Sequence, residues 1–259
     1  MDIKEIALLA KNLMMEAQYS KWYYDVLLQY DKMRRHNSTE FNVSAYFYYI
    51  NETALVEASA MRLARLYDDD KRSVNIRDLL SVVNELLSSE RPITREDGKE
   101  IEIDKKYRHI VKLYERCYFR DKVNESEDLQ NALAPIIGTS DRLMIEVTPN
   151  EMLGMYKKRF NALGTKIANL TYQRNKLYAH NDKDLNFDFK YFDENKKLCL
   201  DDIEALIEYA VDYTMFCYEL FTGRKPVIHP EEISDWKNTI DLVGIGLKYK
   251  CKEDKMGLI

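Results

Sequence analysis

The chain is short of the residues that interrupt helices: eight glycines and five prolines in 259 residues. No P-loop, Gly-rich dinucleotide fingerprint or GxSxG elbow appears, so kinase, dehydrogenase and hydrolase classes gain no support. Cysteine is equally sparse. Cys117, Cys199, Cys217 and Cys251 lie far apart, with no CxxC pair and no nearby histidine to complete a zinc tetrad, and they read as reduced thiols. No uncharged run approaches the roughly 20 residues needed to span a bilayer. The opening MDIKEIALLAKNL carries Asp2, Lys4 and Glu5 and lacks a basic flank and a small-residue cleavage site, which predicts a cytoplasmic protein. An excess of positive charge is also missing. With a net charge of −5 and a pI near 5.6, the whole surface does not coat nucleic acid or an anionic membrane, and any polyanion is met locally.

What is present is helix-forming sequence in long stretches, the pattern of an all-α protein. Apolar residues at spacings of three and four predict a first helix over 3–35 (Ile6, Leu9, Leu13, Tyr23, Val26, Tyr30, Met33). A second is predicted over 40–67, on Phe47, Ile50, Ala54, Met61 and Ala64. Asn75 is placed to cap a third helix over 76–89, and SSERPITREDGKE after it reads as an exposed loop. Between 103 and 148 the pattern predicts short helices near 107–118 and 127–133, joined by NESED and APIIGTS. A long helix over 149–180 follows, with Pro149 and Glu151 in its first turn, then a helix over 201–221 closed by Gly223, and a last one over 230–249. No internal repeat and no low-complexity segment appears. We expect one domain over 1–259, with 91–148 as an insertion or cap.

The stretch RNKLYAHND, residues 174–182, holds one of the chain's four histidines near the end of the long helix. At 100° per residue, Ile167, Leu170, Arg174 and Leu177 fall within about 40° of Leu163, so Arg174 sits on the apolar seam. A guanidinium there needs a carboxylate, a carbonyl or a bound anion. A salt bridge to a neighbouring helix is one answer, with Glu52, Glu57 and Glu208 as candidates. His180 alone reads equally as a helix cap. On an ideal helix it stands about 9 Å along the axis and about 120° around it from Arg174. Convergence therefore requires the helix to end or distort near 178–179, or two copies to meet across a two-fold axis.

Arginine, a polar residue and, after a short gap, histidine resembles the signature of the HEPN superfamily, here Arg174, Asn175 and His180. The string RNKLYAHND, with ARLYDDDKRSVNIRDLL at 64–80, looks like the branch associated with bacterial abortive infection and called AbiU. The resemblance spans roughly residues 40 to 222. It implies an all-α, up-and-down helical bundle with extra helices, paired as a homodimer whose motifs face each other in a cleft. It also implies a metal-independent endoribonuclease, with RNA as partner and no cofactor. Arg174 and His180 are then catalytic and Asn175 assists. Lys176, Tyr178, Lys166 and Asp182 are expected to contact substrate. The alternatives are a non-catalytic dimeric module binding RNA, nucleotide or protein in the same groove, and a plain helical scaffold. In HEPN toxins silenced by adenylylation, the modified tyrosine stands two positions after the histidine. Here that position is Asp182, so this antitoxin mechanism is not supported and any partner protein is unidentified.

Four further features have two readings each. Nineteen tyrosines, with WYY at 22–24 and YFYY at 46–49, suggest stacking platforms for bases or, preferably, core packing. Asp68, Asp69 and Asp70 read as a turn between helices rather than a metal site. Lys157, Lys158, Arg159, Lys166, Arg174 and Lys176 form a basic strip on the motif helix or simply its solvated face. FDFKYF, 187–192, alternates like a short strand or flap.

Overall fold

The computed structural model describes residues 1–70, 73–89, 92–137, 143–178, 196–226 and 237–256. Among these residues it has nine helices and one two-stranded sheet, an all-α protein. None of the described helices is long and apolar enough to cross a membrane. The chain divides into two compact units: Met1–Met14 with Asp69–Asn169 and Leu198–Pro226, and Met15–Asp68 with Leu170–Lys197 and Val227–Ile259.

The first unit holds the opening turns of α1 (Ile3–His36), α4 (Ile76–Leu87), β1 (Tyr107–Ile110), α5 (Arg120–Ile137), β2 (Met144–Val147), α6 (Pro149–Ala162), the start of α7 (Gly164–Gln173) and α8 (Leu200–Thr222). α4, α6 and α8 pack on one another, and Leu79, Val83, Leu206, Tyr213 and Phe221 are fully buried. The local signals that start and stop these helices are satisfied. Asn75 accepts from the Arg77 and Asp78 backbone N–H groups while Asp78 accepts from the Asn75 N–H, a reciprocal cap. Thr148 and Glu151 do the same ahead of Pro149. Gly223 ends α8 in the left-handed region at φ 69°, where a Cβ would lie 2.4 Å from the Asp97 carboxylate. Cys217 is buried in this core, and burial pushes its thiol well up.

The segment 103–148 departs from the helical expectation. Residues 107–110 form β1, antiparallel to β2 with Tyr107 opposite Val147 and Ile110 opposite Met144. Ile145 and Val147 alternate with exposed neighbours, the period-two signature of a half-buried strand. A short 3₁₀ turn, Leu113–Glu115, follows β1. NESED and API lie inside α5 rather than joining two shorter helices. In the expected loop 88–100, Ile93 is buried and the chain doubles back at Gly98, so that Ile101 N–H donates to the Ile93 carbonyl at 2.7 Å.

The second unit contains the rest of α1, α2 (Ser38–Val43), α3 (Ala45–Leu66), the end of α7 with the turn after it, and α9 (Lys237–Met256). α1 and α3 meet at two buried serines, each hydroxyl donating to the other's carbonyl at 3.1 Å. Arg62 grips both oxygens of Glu16 at 2.9 Å beneath Tyr19. The helix expected over 40–67 is broken at Ser44, and its buried face differs from the expected one. Tyr48 packs with Phe41 and Ile240, whereas Phe47 and Ile50 are 59% and 63% exposed. Core packing therefore holds for one ring of YFYY only, because Tyr46 and Tyr49 also point to water.

Candidate functional site

The motif lies where the long helix stops being regular. α6 and α7 are separated by a turn at Leu163, but the Leu163 N–H bond to Arg159 O (3.1 Å) and the Ile167 N–H bond to Leu163 O (2.9 Å) carry across it. Ile167 and Leu170 are buried, as the seam predicts. At Arg174 the backbone widens into a π-helical turn running to Tyr178. Such single turns are rare and concentrate at functional sites. The distortion begins four residues before 178–179, where the first of the two routes to convergence places it.

Arg174 finds a carboxylate at the far end of α3, on none of the glutamates that the sequence nominates. Its Nη1 donates to Asp68 Oδ2 at 2.6 Å, and the two side chains are 18% and 22% exposed. Its Nε donates to the Asn175 side-chain oxygen at 3.0 Å. α3 packs on the π-helical turn at this end, which sets Asp68 opposite Arg174. Asp68 is the residue that sequence reasoning missed. It belongs to the acidic run that reads as a turn, and its only signal was its position just past the last buried residues of α3. Two neighbouring contacts steady the approach: Gln173 donates to the Lys196 carbonyl at 3.1 Å, and the Lys196 ammonium lies 4.5 Å from the centre of the Tyr172 ring.

The other expected site residues are distributed unevenly. Asn175 is exposed and adjacent to the guanidinium, and Lys176 is half-buried on the same turn. The backbone of Tyr178 closes the turn. Lys166 lies in the first unit and is ion-paired with Asp202, whose carboxyl that bond holds below the usual carboxylate range. His180, Asp182 and the FDFKYF stretch lie outside the described residues. Among the described residues, no group of three His, Cys, Asp or Glu side chains is arranged to hold a metal.

The basic strip is only partly a solvent-facing feature. Lys157 and Lys158 are exposed, and Lys157 donates to Asn84 at 2.9 Å. Arg159 instead turns into the first unit, where it pairs with Asp212 at 3.3 Å and lies 4.3 Å from the centre of the Tyr114 ring. Asp212 also accepts from Tyr114 and Lys112, so this is a buried polar network. Another histidine, His109, is bound at 2.9 Å to the buried Glu115 and serves the β1 turn.

A half-buried guanidinium held by one carboxylate, on a helix that has lost its regular pitch, is suited to binding an oxyanion such as a phosphodiester. The comparisons with known proteins bear on which chemistry this is. No curated protein and no solved structure matches the chain. One family model, AbiU2 of the HEPN type, matches residues 3–239, taking in the first helix as well as the stretch 40–222 that carries the motifs. The chain therefore belongs to the AbiU2 family of HEPN proteins.

Proposed function

We propose that the chain is a metal-independent endoribonuclease, active as a homodimer in which the motifs of both copies share one cleft, and serving phage defence or a toxin–antitoxin system. The observation that carries the reading is the Arg174 guanidinium, which sits 2.6 Å from Asp68 at a π-helical turn, in a chain that the AbiU2 family model matches over residues 3–239. Arg174 grips the scissile phosphate and stabilises charge as it builds on the non-bridging oxygens. His180 takes the proton from a ribose 2′-hydroxyl or returns one to the leaving 5′-oxygen, a role that imidazoles suit near neutral pH, worth roughly 10²–10⁴-fold. Asn175, bonded to the guanidinium in the resting site, assists by hydrogen bonding to it or to the phosphate. Lys176, Tyr178 and Asp182 are the residues assigned to substrate contact in this reading. Lys166, also assigned to substrate contact, has its charge answered by Asp202 in the resting protein.

This chemistry leaves a 2′,3′-cyclic phosphate and spares DNA, because the nucleophile is the 2′-hydroxyl itself. The test is RNA cleavage in EDTA by the wild type, Arg174→Ala and His180→Ala, with end-group analysis of the products. Loss of cleavage in both variants with folding intact is expected. Binding without cleavage by the wild type would instead mark a dimeric binding module.

A further inference from the structure

A guanidinium offers two edges for a bidentate grip, one formed by Nε and Nη2 and the other by Nη1 and Nη2. In Arg174, Nε is engaged by Asn175 at 3.0 Å and Nη1 by Asp68 at 2.6 Å. The Nε/Nη2 edge is thus closed by Asn175, and the Asp68 carboxylate stands on Nη1 beside the other. A phosphate that grips the Nε/Nη2 edge must displace Asn175.

The two acceptors are unequal. Asn175 is neutral, exposed and adjacent in sequence, so its carboxamide turns to water at little cost. Asp68 is a carboxylate only 22% exposed, and its charge-assisted bond to the guanidinium, at 2.6 Å, is the stronger of the two. We propose that an RNA phosphate takes the Nε/Nη2 edge by displacing Asn175, while Asp68 stays on Nη1 as a fixed counter-ion. Asp68 is then a positioning residue with two opposed effects. It holds the guanidinium in one aim, and its negative charge, beside the incoming phosphate, weakens the binding of every RNA. The resting site is self-neutralised, which limits non-specific capture of polyanions by the guanidinium. This inference rests on the nuclease reading for its catalytic half only.

The test pairs binding with turnover. Affinity is measured by fluorescence anisotropy for a labelled single-stranded 2′-O-methyl oligoribonucleotide, which is not cut, and cleavage is followed on the all-ribose strand. Asp68→Asn is expected to tighten binding roughly three- to tenfold in the wild-type background and to leave it unchanged beside Arg174→Ala. Turnover of bound RNA by Asp68→Asn falls about tenfold or more, and Asp68→Glu, which keeps the charge, returns affinity towards the wild type. A substitution that merely loosened the fold would weaken binding instead. Asp68→Asn binding no tighter than wild type, or tightening equally without Arg174, overturns the proposal. A wild type that shows the predicted coupling yet never cuts RNA sinks the nuclease reading and upholds the counter-ion. Cleavage untouched by Asp68→Asn does the reverse.

Discussion

Arg159 and Arg174 stand 15 positions apart on the same run of helix and do different work. Arg159 is 8% exposed, paired with Asp212 and packed over Tyr114, so truncation removes a stacked plane and one of the three side chains that hold the Asp212 carboxylate. Arg159→Ala is expected to cost about 2 kcal/mol of stability, measured by urea unfolding. Arg174→Ala removes a less buried pair, and we expect about 1 kcal/mol in the same assay. Its cleavage activity, by contrast, falls to background. The seam position of Arg174 was legible from periodicity alone, and so was its need for an anion. Which anion was not, because Asp68 reaches it only through the place where α3 stops and the way α3 packs on the π-helical turn.

Among the elements, the ones with strong local punctuation were readable and the short ones were not. α1, α4, α6 and α8 begin and end within a residue or two of where their caps and spacing put them, except that the long helix breaks at Leu163. The two strands escaped notice because four residues of alternation are too few to stand out in a chain otherwise rich in helix formers. The exposed rings of α3 were misjudged for a related reason. Ser44 breaks the helix and resets its register, turning Tyr48 inward and its neighbours out. The caps themselves are testable. Asn75→Ala removes the acceptor of two backbone N–H groups and is expected to cost about 1 kcal/mol in urea unfolding. Gly223→Ala places a methyl against Asp97 in a left-handed turn and is expected to cost about 1–2 kcal/mol. At the start of α8, the Lys166 bond depresses the folded pKa of Asp202 below its unfolded value near 4. Its contribution is therefore present above about pH 4 and lost as pH falls through the folded value. Asp202→Asn should cost more stability at pH 6 than at pH 3, seen as urea midpoints that converge as the pH falls.

For the molecule as a whole, family membership spans residues 3–239, so its demands are met by nearly the entire chain and not by the motif alone. The proposed shared cleft predicts a species of twice the chain's 30.7 kDa in sedimentation velocity. A stable monomer that still cuts RNA would remove the dimer from the mechanism. Cys117 and Cys199 are exposed while Cys217 is sealed inside the first unit. A thiol-specific alkylating reagent should consume the outer two within its own reaction time and reach the inner one only when that unit opens. The sealed sulfur is thus a built-in stopwatch. Mass spectrometry of its slow modification would time spontaneous unfolding of that core in undenatured protein, with no dye or denaturant needed.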